Sequence, residues 1–383
     1  MVHSAYIHIP FCTHICHYCD FNKVFLKNQP VDEYLQSLDT EMRLTLEEVP
    51  VDEIRTIFVG GGTPTSLNDQ QLAKLCESIR ERLPYEKGEF TFEANPGDLT
   101  EEKIKILKEY GVNRLSIGVQ SFNDDMLKKI GRTHRSKDVF TTIEQAQKHG
   151  FENLSLDLIY ALPGQTLDDF RDTLRTALEL NLPHYSGYSL IIEPKTVFYN
   201  LMQKGQLSLP KVETEAGMYQ LLMDEMERYG LHQYEISNFA KKGFESQHNL
   251  VYWKNEEYFG FGAGAHAYVA GKRQSNYGPL KKYMEPLKYS KLPIISSHVL
   301  SVEEKMEEEM FLGLRTTKGV SISRFREKYQ KDPLSLFEQP ITEMETRGLL
   351  AVQDDYIRLT HEGKFLGNEV FQSFLLTLDQ SEN

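Results

Sequence analysis

Short β-rich apolar runs alternate with longer helix-patterned stretches through the first half of the chain, and this alternation restricts the fold to β/α units around a parallel sheet. The runs fall at Tyr6 to Ile9, Thr56 to Gly60, Glu89 to Ala94, Arg114 to Val119, Asn153 to Tyr160 and His184 to Leu190. Helical periodicity fills the gaps near 31–48, 69–83, 101–110, 137–149 and 167–181. Right-handed crossovers between such strands give either an open doubly wound sheet or a partial barrel. Polar residues collected at successive strand ends favour the second, an α/β fold with a partial (β/α)6 TIM-like barrel, because loops at the C-terminal mouth of a barrel bring side chains from several strands together.

Three of the four cysteines lie within eight positions, Cys12-Thr-His-Ile-Cys16-His-Tyr-Cys19. The spacing offers three thiolates to a soft metal centre and no fourth. A closed zinc site and an ordinary cubane cluster each take four protein ligands, so a [4Fe–4S] cluster here would keep one iron open. Other readings stand beside this one: a thioredoxin-type pair at Cys16 and Cys19, a stretched haem-attachment motif ending at His17, and a zinc site completed by His14 or His17. The remaining cysteine, Cys76, falls on an amphipathic helical pattern and reads as a small buried hydrophobe.

The strand ends carry further polar signals. The second strand runs into Gly60-Gly61-Gly62-Thr63-Pro64, where backbone N–H groups are open to close approach. The third places Glu93 at the mouth, the fourth Gln120, with Gly131-Arg132 shortly after, and the fifth holds Asp157 in an apolar run, where a carboxylate must be paired or functional. Singly, a plain turn or an Asp–Arg pair explains each of them. Together, at successive strands, they point to a site.

Composition narrows the function. A net charge of −13 without any basic block argues against nucleic acid or an anionic membrane as partner. There is no signal-peptide pattern at the N-terminus and no 18-residue apolar window, so no transmembrane segment is expected and the expected compartment is the cytoplasm, where thiols stay reduced.

Past Glu193-Pro194 the β/α rhythm stops and a helical connection is expected, carrying Gln247-His248-Asn249-Leu250-Val251-Tyr252-Trp253 with the only tryptophan. A histidine with aromatics can grip a flat ligand, the imidazole as an axial iron ligand; an aromatic core cluster around a satisfied histidine explains the same residues. From about Ser301 a helix-turn-helix pattern and a short strand at Tyr356 suggest a winged-helix-like appendage without a basic stripe, hence a packing or partner surface. The expected divisions are 1–195 for the barrel, 196–300 for the helical connection and 301–383 for an α-rich C-terminal unit.

Tyr6-x-His8-Ile9-Pro10-Phe11-Cys12, the cysteine set, Gly60 to Pro64, Gly118-Val119-Gln120-Ser121-Phe122 and Asp157 to Thr166 resemble the oxygen-independent coproporphyrinogen dehydrogenase family of the radical S-adenosylmethionine (SAM) superfamily. The resemblance implies that Cys12, Cys16 and Cys19 hold a [4Fe–4S] cluster whose open iron takes SAM. It also implies that Tyr6, Gly61, Gly62 and Thr63 line the methionyl moiety, that Arg132 pairs with its carboxylate, that Glu93 bonds the ribose hydroxyls, and that Gln120 and Asp157 complete the pocket. Within the family, decarboxylating members carry C-x-x-x-C-x-x-C-x-C and a long N-terminal extension; here Phe21 takes the last cysteine's place and five residues precede Tyr6. The His248-Asn-x-x-Tyr252-Trp253 string is similar to that of the HemW-type heme chaperones. That branch implies heme as ligand, with His248, Tyr252 and Trp253 contributing to its binding, and transfer to acceptor hemoproteins, respiratory-chain components among them; a homodimer is compatible with it. Two alternatives stay open: oxidative decarboxylation of coproporphyrinogen III, and a zinc-binding scaffold that has kept the fold.

Overall fold

The six expected strands form and run parallel. In the computed structural model, which describes residues 2–375, they are β1 (Ser4–Ile9), β4 (Thr56–Gly61), β5 (Glu89–Ala94), β6 (Arg114–Gln120), β7 (Asn153–Tyr160) and β8 (His184–Ser189). Between β1 and β4, β2 (Phe11–Cys12) and β3 (Val24–Phe25) make a two-residue parallel ladder of their own. Helices α1 (Val31–Glu48), α2 (Asp69–Arg82), α3 (Glu101–Glu109), α4 (Asp124–Lys129), α5 (Ser136–Lys148) and α6 (Leu167–Glu179) make the crossovers. Their starts are chemically marked: Asn68 and Thr166 each open a capping box, closed by Gln71 and Asp169. Cys76 is buried on α2, a packing residue as expected.

A parallel sheet covered on both faces ordinarily reads as continuous apolar sequence. Here the strands alternate. Ile57, Val59, Phe90, Phe92, Leu115, Ile117, Leu154 and Leu156 belong to the main core, while the intervening Thr56, Glu89, Thr91, Arg114, Ser116, Ser155, His184 and Ser186 are equally buried. Successive side chains on a strand point to opposite faces, so one face packs on the helices and the other forms a buried polar interior.

The 196–300 stretch departs from the helical expectation. It contains α7 (Val197–Gln203), α8 (Val212–Arg228) and α9 (Gln247–Trp253), but also β9 (His232–Glu235), β10 (Asn238–Ala240) and β11 (Phe259–Phe261), which extend the main sheet to nine strands in the order β11-β1-β4-β5-β6-β7-β8-β10-β9. β11 joins β1 in parallel, β10 joins β8 antiparallel, and the two outer strands do not pair, so the barrel stays open. Strands of three or four residues are too short to show a period, which is why they look like connection in the sequence. A second antiparallel sheet follows, β12 (His266–Val269), β13 (Lys272–Asn276) and β14 (Ile294–Val299), with α10 (Leu280–Leu287) inserted. Beyond it, helices at Val302–Gly313, Ile322–Tyr329 and Glu338–Thr346 and a three-stranded sheet of β15 (Val320–Ser321), β16 (Leu350–Gln353) and β17 (Tyr356–Leu359) enclose a separate core around Met310, Phe325, Phe337 and Ile357. This unit has the expected winged-helix-like layout. Among the described residues no helix is long and apolar enough to cross a membrane.

Candidate functional site

The cysteine loop hangs from the end of β1. Its two ends are tied by the β2–β3 ladder, where Val24 N donates to Pro10 O (2.8 Å) and Leu26 N to Cys12 O (2.9 Å). Its middle is fixed from the other side: His17 N donates to Ile130 O (3.0 Å), His17 Nδ1 bonds Lys129 O (3.0 Å), and Phe198 N donates to His17 O (3.0 Å). The three thiols are close enough that the neighbouring sulfurs add to the rise in the Cys12 pKa, which burial carries up to about 11. Burial likewise raises Cys19. Iron binding at such thiols must displace their protons. Among the described residues no three His, Cys, Asp or Glu side chains are grouped closely enough to hold a single metal ion.

The glycine run is positioned by packing. Gly62 N donates to Ile9 O and Thr63 N to Phe11 O, each 2.8 Å. A Cβ on Gly62 would lie 2.7 Å from Ile9 O, and Gly61, at φ +104°, faces the His8 ring in the same way. Only bare backbone fits between β4 and the start of the cysteine loop. Thr63 Oγ1 then reaches Cys12 Sγ (3.6 Å) while accepting from Asn95 Nδ2 (3.0 Å).

The remaining SAM candidates converge on this mouth. Glu93 Oε2 accepts from Gly61 N (3.0 Å), and burial, with Asp157 adding to it, pushes its pKa up to about 7. Tyr6 Oη bonds His8 Nδ1 (2.9 Å), and His8 Nε2 bonds Asn22 O (2.7 Å). Arg132 donates through Nη1 to Cys16 Sγ (3.5 Å) and through Nη2 to Gly118 O, and its buried Nε has no partner. Gln120 sits at φ +68° at the irregularity between β6 and β7. Asp157 accepts from Ser116 Oγ (2.9 Å) and Ser155 Oγ (3.3 Å), with Ser186 also bonding it, and burial raises its pKa. Three thiols, a guanidinium bonded to one of them whose own Nε lacks a partner, and a bare-backbone cradle together form a donor set that suits a three-cysteine cluster with an anionic co-ligand.

The His248 segment enters from the other end of the sheet, and Tyr252 comes near enough to Tyr6 and Glu93 for both to add to the rise in its pKa that burial causes. α9 plugs the opposite, N-terminal end of the sheet, where Glu89 accepts from Ser246 Oγ (3.2 Å), Gln247 N (2.9 Å) and His248 N (3.0 Å). His248 is fully buried, stacked 5.4 Å from Phe58, with Nδ1 bonded to Thr56 Oγ1 and Nε2 to Tyr252 Oη, each 2.8 Å. Burial lowers its pKa to about 3. Trp253 points another way, with the Arg315 guanidinium 5.3 Å from its ring centre. Residues four apart share a helix face and residues five apart do not, so His248 and Tyr252 look inward together while Trp253 cannot join them. A shared grip on one flat ligand by all three is therefore not formed in this arrangement. Thr56, Glu89, Ser116, Ser155, His184 and Ser186, absent from the sequence-based candidates, complete the interior; their signal is the period-two alternation, legible in Glu89-Phe-Thr-Phe-Glu93.

Residues 6–177 match the radical SAM superfamily and residues 300–366 the HemN C-terminal domain. The fold is that of the solved coproporphyrinogen III oxidase of Escherichia coli, a radical SAM enzyme (TM-score 0.84, 23% identity, covering 97% of this chain and 89% of that one). Fold and site thus define a radical SAM protein, a superfamily that implies SAM and a [4Fe–4S] cluster. The chain is 57% identical over 374 residues to the heme chaperone HemW of Bacillus subtilis (strain 168), covering 97% of this chain and 99% of that protein. It is 48% identical to that of Lactococcus lactis over 97% of both, and 40% identical to that of Escherichia coli strain K12 over 70% of both. The chain belongs to the HemW family of heme chaperones.

Proposed function

We propose that this protein binds heme, holds a SAM-ligated [4Fe–4S] cluster on Cys12, Cys16 and Cys19, and hands heme to acceptor hemoproteins. The observation that carries the reading is the 57% identity to a heme chaperone across nearly the full length of both chains. Cys12, Cys16 and Cys19 serve as cluster ligands, and Arg132, bonded to Cys16 through Nη1 and with its Nε unpartnered, orients the SAM carboxylate. Glu93, Gln120 and Asp157 bind from the sheet side, while Tyr6 and the Gly61 to Thr63 backbone close the methionyl side. A cluster with SAM bound to it supplies one-electron chemistry at a C–S bond. For heme, His248, Tyr252 and Trp253 remain the residues to test, and geometry narrows what they do: His248 takes iron only by giving up Thr56 or Tyr252.

The test is an anaerobic reconstitution followed by separate assays with heme and with coproporphyrinogen III. Stoichiometric heme binding, transfer to an apo-hemoprotein and no protoporphyrinogen is the expected result. Sustained protoporphyrinogen formation would make the protein a decarboxylating enzyme despite Phe21. In a Soret titration His248→Ala is expected to weaken heme binding; undiminished affinity would restrict His248 to anchoring α9.

A further inference from the structure

A continuous line of hydrogen bonds crosses the buried interior of the sheet, starting at Asp157. Ser155 Oγ lies 3.3 Å from Asp157 Oδ1 and 2.8 Å from His184 Nδ1. His184 Nε2 lies 2.9 Å from Tyr234 Oη, and Tyr234 Oη accepts from Ser246 N at 3.2 Å. Ser155 and His184 are fully buried. Because Asp157 accepts only and Ser246 N donates only, one set of proton positions satisfies every link. Tyr234 donates to His184 Nε2, His184 Nδ1–H donates to Ser155, and Ser155 donates to Asp157. Burial, aided by the nearby Arg114 charge, keeps His184 neutral, the form this arrangement needs.

We propose that His184 is a positioning residue of the SAM pocket, acting through Ser155 to aim the Asp157 carboxylate and tying it, through Tyr234, to the N-cap of α9. Nothing in the site described above requires a histidine at this place, and none of the SAM candidates touches it. A buried serine hydroxyl without a donor behind it is free to turn away; with His184 Nδ1–H fixed on its oxygen, its proton points only to Asp157. The proposal rests on Asp157 belonging to the SAM pocket.

The experiment measures SAM affinity by anaerobic calorimetry on cluster-reconstituted full-length protein, with iron and sulfide content checked for each variant. His184→Gln places its amide at the ε position and loses the Ser155 contact, whereas His184→Asn keeps an N–H donor at the δ position. The expected result is SAM affinity about five- to tenfold weaker for His184→Gln, in line with one lost hydrogen bond, and within about twofold of the parent for His184→Asn. A packing role would rank them the other way, since Gln is nearer His in volume. Ser155→Ala, which leaves the histidine in place, should match His184→Gln and decides the matter if the His184 variants do not fold. Asp157→Asn separates the two failures. If it weakens SAM binding while His184→Gln and Ser155→Ala do not, the relay alone is overturned; if Asp157→Asn has no effect, the SAM assignment of Asp157 and the relay fall together.

Discussion

Glu89→Gln isolates what holds α9 in the sheet. The change is isosteric, so it opens no cavity and acts through hydrogen bonds alone. Glu89 Oε1 accepts from Ser246 Oγ and His248 N, and Oε2 accepts from Gln247 N. A glutamine oxygen can keep the first pair, each now a neutral rather than a charge-assisted bond. Its NH2 then faces the Gln247 N–H, donor against donor, leaving a part-buried amide without an acceptor. A hydrogen bond to a charged group contributes roughly 1.5–3 kcal/mol, and an unsatisfied group that is only part-buried costs near the low end of roughly 1–3 kcal/mol, so the local loss is about 3 kcal/mol. At about 1.4 kcal/mol per decade this raises the opening equilibrium of the segment roughly a hundredfold. Hydrogen exchange followed by mass spectrometry on a peptide spanning 246–253 reads that factor directly. Protection within about threefold of the parent would refute the reasoning and assign the anchoring of α9 to His248 and Thr56 instead.

Cys16→Ala should abolish iron–sulfur absorption after reconstitution while leaving the far-UV spectrum intact; a full cluster in the variant would show the ligand set to be wrong. Arg132→Met should keep the cluster but weaken SAM binding at least about tenfold, as loss of a charge-assisted pair requires, and unchanged affinity in a titration would remove Arg132 from the carboxylate. Glu41 supplies a pH dependence: burial pushes its pKa from the ordinary 4.5 up to about 7, against bonds from Tyr283, Gly262 and Asn276 that lower it. The folded pKa is the higher one, so the folded state holds the extra proton, and the associated stability is complete below about pH 4.5 and lost as pH rises through about 7. The amount is about 3 kcal/mol, and Glu41→Gln, which does not titrate, should lack it. Melting temperatures of the two proteins from pH 5 to 8 should diverge by a few degrees; parallel curves would mean the three donors cancel the effect of burial.

The sheet was legible because its strands are long and its helices strongly periodic. The expected run from Arg114 to Val119 becomes Arg114–Gln120, and that from His184 to Leu190 becomes His184–Ser189. The cysteine loop and the mouth residues were legible because their chemistry is rare in sequence. β10 and β11 were not, since three residues carry no period and Phe259-Gly-Phe261 reads as a glycine-rich turn. Nor was the division of the His248 string, because a motif read as a line of letters does not say that a helix turns Trp253 away from His248. The polar interior was half visible: Asp157 stood out in its apolar run, but its serine partners come from β6, β7 and β8, and only the parallel register that sets Ser116 beside Ser155 and Asp157 beside Ser186 brings them to it.

The anchoring of the cysteine loop has a consequence for how the protein is made. Asn22, three residues past Cys19, holds the loop through its side-chain amide to Ala263 O, 241 positions further along the chain, and to Gly278 O beyond that. β1, which leads into the loop, is flanked on one side by β11, so its sheet environment is also complete only after residue 261. At about 5–20 residues per second a ribosome needs roughly 12–48 seconds to traverse that separation. Throughout that interval the three thiols are on a loop whose far anchor does not yet exist. The lasting arrangement of the loop is thus reached only after residue 278 has been made, long after the cysteines themselves.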